Sequence, residues 1–168
     1  MTSILFHLKI EFNTLKLHSF MWGSLMFFRK RRLPLRVSDL MSTPPITAGE
    51  DTPIEEIAKI MWDNRVGSVM IVDGEGVLVG IITERDILYS VANNKVGKGL
   101  PAYMIMTENP VTVSPDTLII DAISRMRKAN VRHLPVVDGS NKPLGMLSLR
   151  DVTDALLTLF HILHGEYY

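Results

Sequence analysis

The sequence predicts a mixed α+β fold built from two pseudo-symmetric β-α-β-β-α repeats. Three observations predict it. Residues 37–89 align with 102–154 at an offset of 65 without a gap. Each copy holds an apolar pattern of helical period followed by two β-rich runs around a glycine turn. Each copy then ends on the same chemistry, GIITERDIL (80–88) and GMLSLRDVT (145–153). Internal repeats of this length constrain the fold strongly.

The elements follow in order. Pro45-Ile46-Thr47 and Pro110-Val111-Thr112 read as short extended pieces after a proline. Asp51-Thr52-Pro53 reads as a helix start, with Thr52 as N-cap, Pro53 at the first helical position and Glu55 three residues after the cap. Ile54, Ile57, Ala58 and Met61 form one apolar helix face; Leu118, Ile119, Ala122, Ile123 and Met126 repeat it. Arg125, Arg127 and Lys128 suit the C-terminal end of the second of these helices. SVMIVD (68–73) and VLVGIIT (77–83) flank the Gly74-Glu75-Gly76 turn; HLPVVD (133–138) and LGMLS (144–148) flank Gly139-Ser140-Asn141. A second helix follows, over about 84–92 and about 149–163. One such unit of ~50 residues buries too little surface to be comfortable alone, so the two should pack together. The organisation expected is a lead (1–36), repeat one (37–95), repeat two (102–160) and a tail (161–168).

Composition narrows the function classes. The 168 residues carry no net charge and no cysteine, which excludes a disulfide scaffold, a zinc–thiolate site and a cysteine nucleophile. The zero net charge conceals a split: seven cations and one anion give residues 1–36 a charge of +6, and the remaining 11 cations and 17 anions give −6. An acidic body argues against nucleic-acid binding by general surface charge. The lead's apolar stretch SFMWGSLMFF (19–28) is too short to span a bilayer, and RKRR (29–32) follows it where a signal peptide's cations would precede it. Met21 and Met26 offer alternative starts. The cytoplasm is the default compartment.

A tandem β-α-β-β-α repeat with Pro-x-Thr entries, Val-Asp-Gly turns and doubled hydroxyl-x-x-Asp endings resembles a pair of CBS domains (cystathionine β-synthase domains), a Bateman module. The resemblance covers residues 37 to about 158. It implies a non-catalytic sensor that binds an adenosine-containing ligand in the cleft between repeats, with the ribose on the aspartate of each ending. Carried over, the ligand residues are Ile46, Thr47, Gly67, Ser68, Thr83 and Asp86 in the first repeat. In the second they are Val111, Thr112, Arg132, His133, Ser148, Arg150 and Asp151. AMP, ADP, ATP and S-adenosylmethionine all remain open, and no further cofactor is required.

The residues themselves allow this chemistry. A hydroxyl at a helix N-terminus, among free backbone N–H groups, is a favourable place for phosphate. A carboxylate can accept hydrogen bonds from two vicinal ribose hydroxyls. The bland alternative is an ordinary helix start with solvated arginines. The copies differ before the hairpin, Gly67-Ser68 against Arg132-His133, which makes the second corner the better phosphate site because guanidinium pairs with phosphate oxygens at two points.

No nucleophile elbow, phosphate-binding loop or dinucleotide fingerprint is present. His161, His164 and Glu166 have a metal-compatible spacing but lack a further ligand, so a solvated tail is expected. Ile87, Leu88 and Val91, with Val152, Leu156, Leu157, Leu159 and Phe160, give the second helices more apolar surface than one small unit needs. A homodimer and an unnamed regulated partner are therefore expected. Two other function classes stay open: a docking module with vestigial clefts, and a nucleic-acid binder acting through RKRR.

Overall fold

The structure is a computed structural model and describes residues 35–164, the side chains at 162 and 163 excepted; residues 1–34 of the basic lead, and Glu166, lie outside the described residues. In chain order the elements are α1 (Val37–Leu40), β1 (Thr47–Gly49), α2 (Ile54–Asn64), β2 (Ser68–Val72), β3 (Leu78–Thr83) and α3 (Glu84–Ala92). A 3-10 turn (Ala102–Met104) leads to β4 (Thr107–Glu108), α4 (Ile119–Ala129), β5 (His133–Val137), β6 (Pro143–Ser148) and α5 (Leu149–His164).

The helix start at Thr52 is a correction. Pro53, not Thr52, is the N-cap, and the helix begins at Ile54. One local and one tertiary bond hold Thr52 out of the helix: its N–H closes a turn on Gly49 O at 3.1 Å and its carbonyl accepts Ala102 N–H at 2.9 Å. Glu55 does not close a capping box on Thr52. Its carboxylate accepts the Gly97 N–H of the segment that joins the repeats. That amide and the residue's own hold the Glu55 carboxyl below the usual range, the larger contribution coming from its own backbone. Gly97 and Gly99 both have positive φ, 81° and 64°, which lets the segment turn its amides toward a carboxylate at little steric cost.

The hairpins form as expected and share their irregularities. Antiparallel β2–β3 and β5–β6 pairs each shift register at the same aligned place, Ile71/Val72 and Val136/Val137. At each turn an aspartate Oδ1 accepts two backbone N–H groups: Asp73 from Glu75 and Val77, Asp138 from Ser140 and Lys142. Those amides depress the Asp138 carboxyl. β1 runs parallel to β2, with Thr47 opposite Met70.

The second repeat's first strand is a further correction. It shrinks to one parallel bridge, Val113 to Val136. The cause is Pro135. Met70 N–H donates to Ile46 O at 3.1 Å in the first repeat, whereas the aligned Pro135 has no N–H to offer Val111.

The leading segment of each repeat pairs with the other repeat. β4 joins the edge of β3, completing a sheet of order β1-β2-β3-β4. Ser42 bridges Met146 of β6 at the aligned position. Leu35 and Arg36 follow the same rule: Ile119 N–H donates to Leu35 O at 2.8 Å, and Arg36 pairs with Asp116 at 3.3 Å.

Three apolar clusters result. Ile57, Met61, Val69, Ile71 and Ile82 enclose Ala102 in the first repeat. Ala122, Met126, Leu134, Val136 and Leu147 enclose Val37 in the second. Met70, Leu78 and Val137 join the two, with Met146 packed against them. Each fully buried side chain of this kind is worth roughly 1.5–3 kcal/mol over exposure. Of the apolar residues expected on an open helix face, Val152 is buried in its own repeat's core and Ile87 packs against the first. Leu88, Val91, Leu156, Leu157 and Phe160 are exposed.

Candidate functional site

Each strand-to-helix corner is a closed hydrogen-bond unit. In the first, Thr83 N–H and Oγ1–H both donate to Asp86 Oδ2 at 2.7 Å. In the second, Ser148 N–H and Oγ–H both donate to Asp151 Oδ2 at 2.7 Å, and Asp151 N–H returns a bond to Ser148 Oγ at 3.2 Å. The local sequence dictates this, since an aspartate at the third helical position reaches back to a hydroxyl-bearing cap. Each aspartate keeps Oδ1, which accepts no hydrogen bond among the described residues.

The expected phosphate donors are more committed than the sequence suggests. Glu84 N–H, the first of α3, donates to Gly67 O at 3.1 Å, and Leu149 N–H, the first of α5, donates to Arg132 O at 2.9 Å. The two hydroxyl protons are likewise engaged by the aspartates. Each corner therefore presents a carboxylate oxygen, which suits the hydroxyls of a sugar. A phosphate must look to side-chain cations or to amides deeper in the first helical turn.

The cross-strand register fixes the partners of each corner. Ser68 faces Thr83 and His133 faces Ser148. A Cβ placed on Gly67 would lie 3.3 Å from His133 Nε2 of the other repeat and 3.4 Å from Glu84 Cδ and Oε2 of its own. Gly67 is thus a bare stretch of backbone between an imidazole and a carboxylate. Burial, then the Arg132 charge, pushes the His133 imidazole below its ordinary range, while Glu84 and Asp151 pull the other way. Sequence reasoning missed Glu84. Its signal was the one aligned position of the two endings where a charge faces an apolar residue, Leu149.

The remaining predicted residues are dispersed around the corners. Ile46 O is bound by Met70 N–H, and Thr112 O accepts Arg125 Nη1 at 3.0 Å. Thr47 and Val111 are exposed, as are Arg132 and Arg150, which make no ion pair among the described residues. A groove of about 660 Å³ lies between α2 and α3, its walls including Trp62, Arg65, Val66, Glu84 and Ile87. None of the predicted ligand residues lines it. Among the described residues no group of three or more His, Asp or Glu could hold a metal ion, and no helix is long and apolar enough to cross a membrane. His164 Nδ1 lies 2.9 Å from Phe160 O.

These doubled corners on two interlocked β-α-β-β-α repeats define a CBS domain pair. The CBS domain family model matches residues 37–93 and 102–158, and the chain belongs to that family. It is 33% identical over 131 residues to an uncharacterized 17.7 kDa protein of Acidianus ambivalens, spanning 78% of this chain and 79% of that one. It is 38% identical over 117 residues to the L-aspartate semialdehyde sulfurtransferase of Methanocaldococcus jannaschii, but these cover 70% of this chain and only 22% of the enzyme. Among solved structures it resembles the CBS domain pair of protein MJ0100 in complex with 5′-methylthioadenosine and S-adenosyl-L-methionine. The TM-score is 0.69 and the identity 35%, over 73% of this chain and 96% of that one. It also resembles the CBS domain protein PAE2072 of Pyrobaculum aerophilum complexed with AMP, with TM-score 0.67 and identity 33% over 74% and 98% of the two chains.

Proposed function

We propose that this chain is a non-catalytic regulatory module that binds an adenosine-containing ligand (AMP, ADP, ATP or S-adenosylmethionine) between its repeats. The carrying observation is the matched pair of aspartates. Each is fixed by two 2.7 Å bonds to Oδ2 and keeps Oδ1 open for a ribose hydroxyl. Arg132 supplies the cation for a phosphate at the second corner. Ile46, Thr47, Val111 and Thr112 line the adenine side in this reading. Ligand binding shifts the balance between arrangements of the repeats, or of two chains in a homodimer, by its differential affinity for them. A cytoplasmic partner reads that shift. The similarity to proteins solved with AMP and with S-adenosyl-L-methionine supports the ligand class.

Melting the protein with and without AMP, ATP and S-adenosylmethionine tests this. A ligand at 100 times its Kd should add about 2.7 kcal/mol, and Asp86→Ala with Asp151→Ala should abolish the shift. The commitment of both hydroxyl protons and the first helix amides within the chain favours a second reading, a docking module with vestigial clefts. No shift with any of the three ligands decides for it.

A further inference from the structure

We infer that Glu84 sets the charge preference of the first corner: it turns away a phosphorylated ligand there and admits an adenosine whose 5′ substituent is neutral or cationic. This rests on the proposed adenosine-binding function and divides the labour of its two clefts.

The alignment isolates the difference. The hydroxyl, the arginine of the first helical turn and the aspartate recur in both corners as Thr83, Arg85 and Asp86 and as Ser148, Arg150 and Asp151, so they cannot distinguish the clefts. Within the corners themselves, residues 66–68 and 83–86 against 131–133 and 148–151, two aligned positions differ in formal charge. Arg132 stands where the first repeat has Gly67, and Leu149 stands where it has Glu84. The second corner gains a cation and the first gains an anion.

The geometry brings that anion to the place of the missing cation. Glu84 Cδ and Oε2 both lie 3.4 Å from the Cβ position of Gly67, so the carboxylate covers the backbone from which an arginine projects in the other repeat. Glu84 makes no ion pair among the described residues. His133 Nε2 flanks the same point at 3.3 Å, but burial and Arg132 push that imidazole toward its neutral form, against the pull of Glu84 and Asp151. In this proposal the Glu84 and Asp86 carboxylates act on the same ligand, with Arg65, which borders the α2–α3 groove together with Glu84, making no ion pair with Glu84 among the described residues. Like charges at close range oppose a phosphate and favour a sulfonium or ammonium group.

The test uses the full chain with Asp151→Ala, which confines binding to the first corner, and titrates it calorimetrically with AMP and with 5′-methylthioadenosine. The neutral thioether should bind at least tenfold more tightly than AMP. Adding Glu84→Gln should bring the two affinities within threefold, chiefly by tightening AMP. An unchanged ratio in Glu84→Gln overturns the assignment. So does an absence of first-corner binding when Asp86→Ala, which confines binding to the second corner, still takes up AMP; that result spares the proposed function. No binding of either ligand by either single-corner protein overturns both. Because Glu84 is exposed, the unliganded melting temperatures should match, which separates a charge effect from loss of fold.

Discussion

Ser42 and Met146 exchange both backbone hydrogen bonds, at 2.9 and 3.1 Å, across 104 residues of sequence. The contact is close enough that a Cβ on Gly145 would lie 2.6 Å from Ser42 O. Gly80, its aligned partner, would instead meet the sulfur end of the Met106 side chain. A backbone carbonyl cannot step aside, whereas a methionine can change rotamer. Gly145→Ala should therefore cost about 2–3 kcal/mol and Gly80→Ala about 1 kcal/mol or less. Urea denaturation midpoints at constant m-value check both.

His133 gives the stability a pH dependence of definite sign. Its pKa is depressed in the fold, by burial first and Arg132 second, against the opposing pull of Glu84 and Asp151. The unfolded chain thus takes up the proton at higher pH than the folded one. Stability is fully present above an ordinary imidazole pKa of about 6.5 and is lost as pH falls from there toward the folded value. Wild type should lose stability between pH 7.5 and 5.5, and His133→Gln should lose markedly less. Paired denaturant titrations at the two pH values measure the difference.

Arg132 separates phosphate recognition from adenosine recognition. Arg132→Ala should weaken AMP by at least tenfold and adenosine by less than threefold, since a guanidinium–phosphate pair is charge-assisted and the nucleoside lacks that group. Isothermal titration of both ligands decides. Equal losses would remove Arg132 from the site.

The exposed apolar residues of α3 and α5 support the proposed homodimer. Leu88 is 68% exposed, Leu157 53% and Phe160 58%. Leu157→Glu with Phe160→Glu should yield a monomer by sedimentation while ligand-induced melting shifts persist. A wild-type chain that sediments as a monomer at high concentration rules the dimer out.

Much of the fold was legible because two copies vouch for each other. The hairpins and both corner motifs could be read from the 65-residue offset, and so could the helix faces built on Ile57 and Ala122. The misreadings have tertiary causes. Thr52 looks like a cap, but its N–H closes a turn on Gly49 and its carbonyl is claimed by Ala102, fifty residues away and outside any local window. The second repeat's first strand looked equal to the first until Pro135 withheld the one N–H its ladder needed. At the site, Thr83–Asp86 and Ser148–Asp151 are local motifs at a spacing of three, so sequence suffices. Glu84 meets Gly67 through the register of its own hairpin, but the approach of His133 on Gly67 depends on how the repeats face one another, and no pattern within either copy specifies that.

The pairing of each leading segment with the opposite repeat has a topological consequence. Residues 37–95, the piece a sequence period would excise, leave β3 without the β4 strand and the first core without Ala102. The self-contained half is a permuted one, running from after Ser42 through β4. The other half is split at the ends of the described chain, with 35–42 returning to meet the residues beyond β4. The two permuted halves share the cluster of Met70, Leu78 and Val137, so neither can melt without exposing it, and the pair should unfold as one cooperative body despite its twofold internal symmetry.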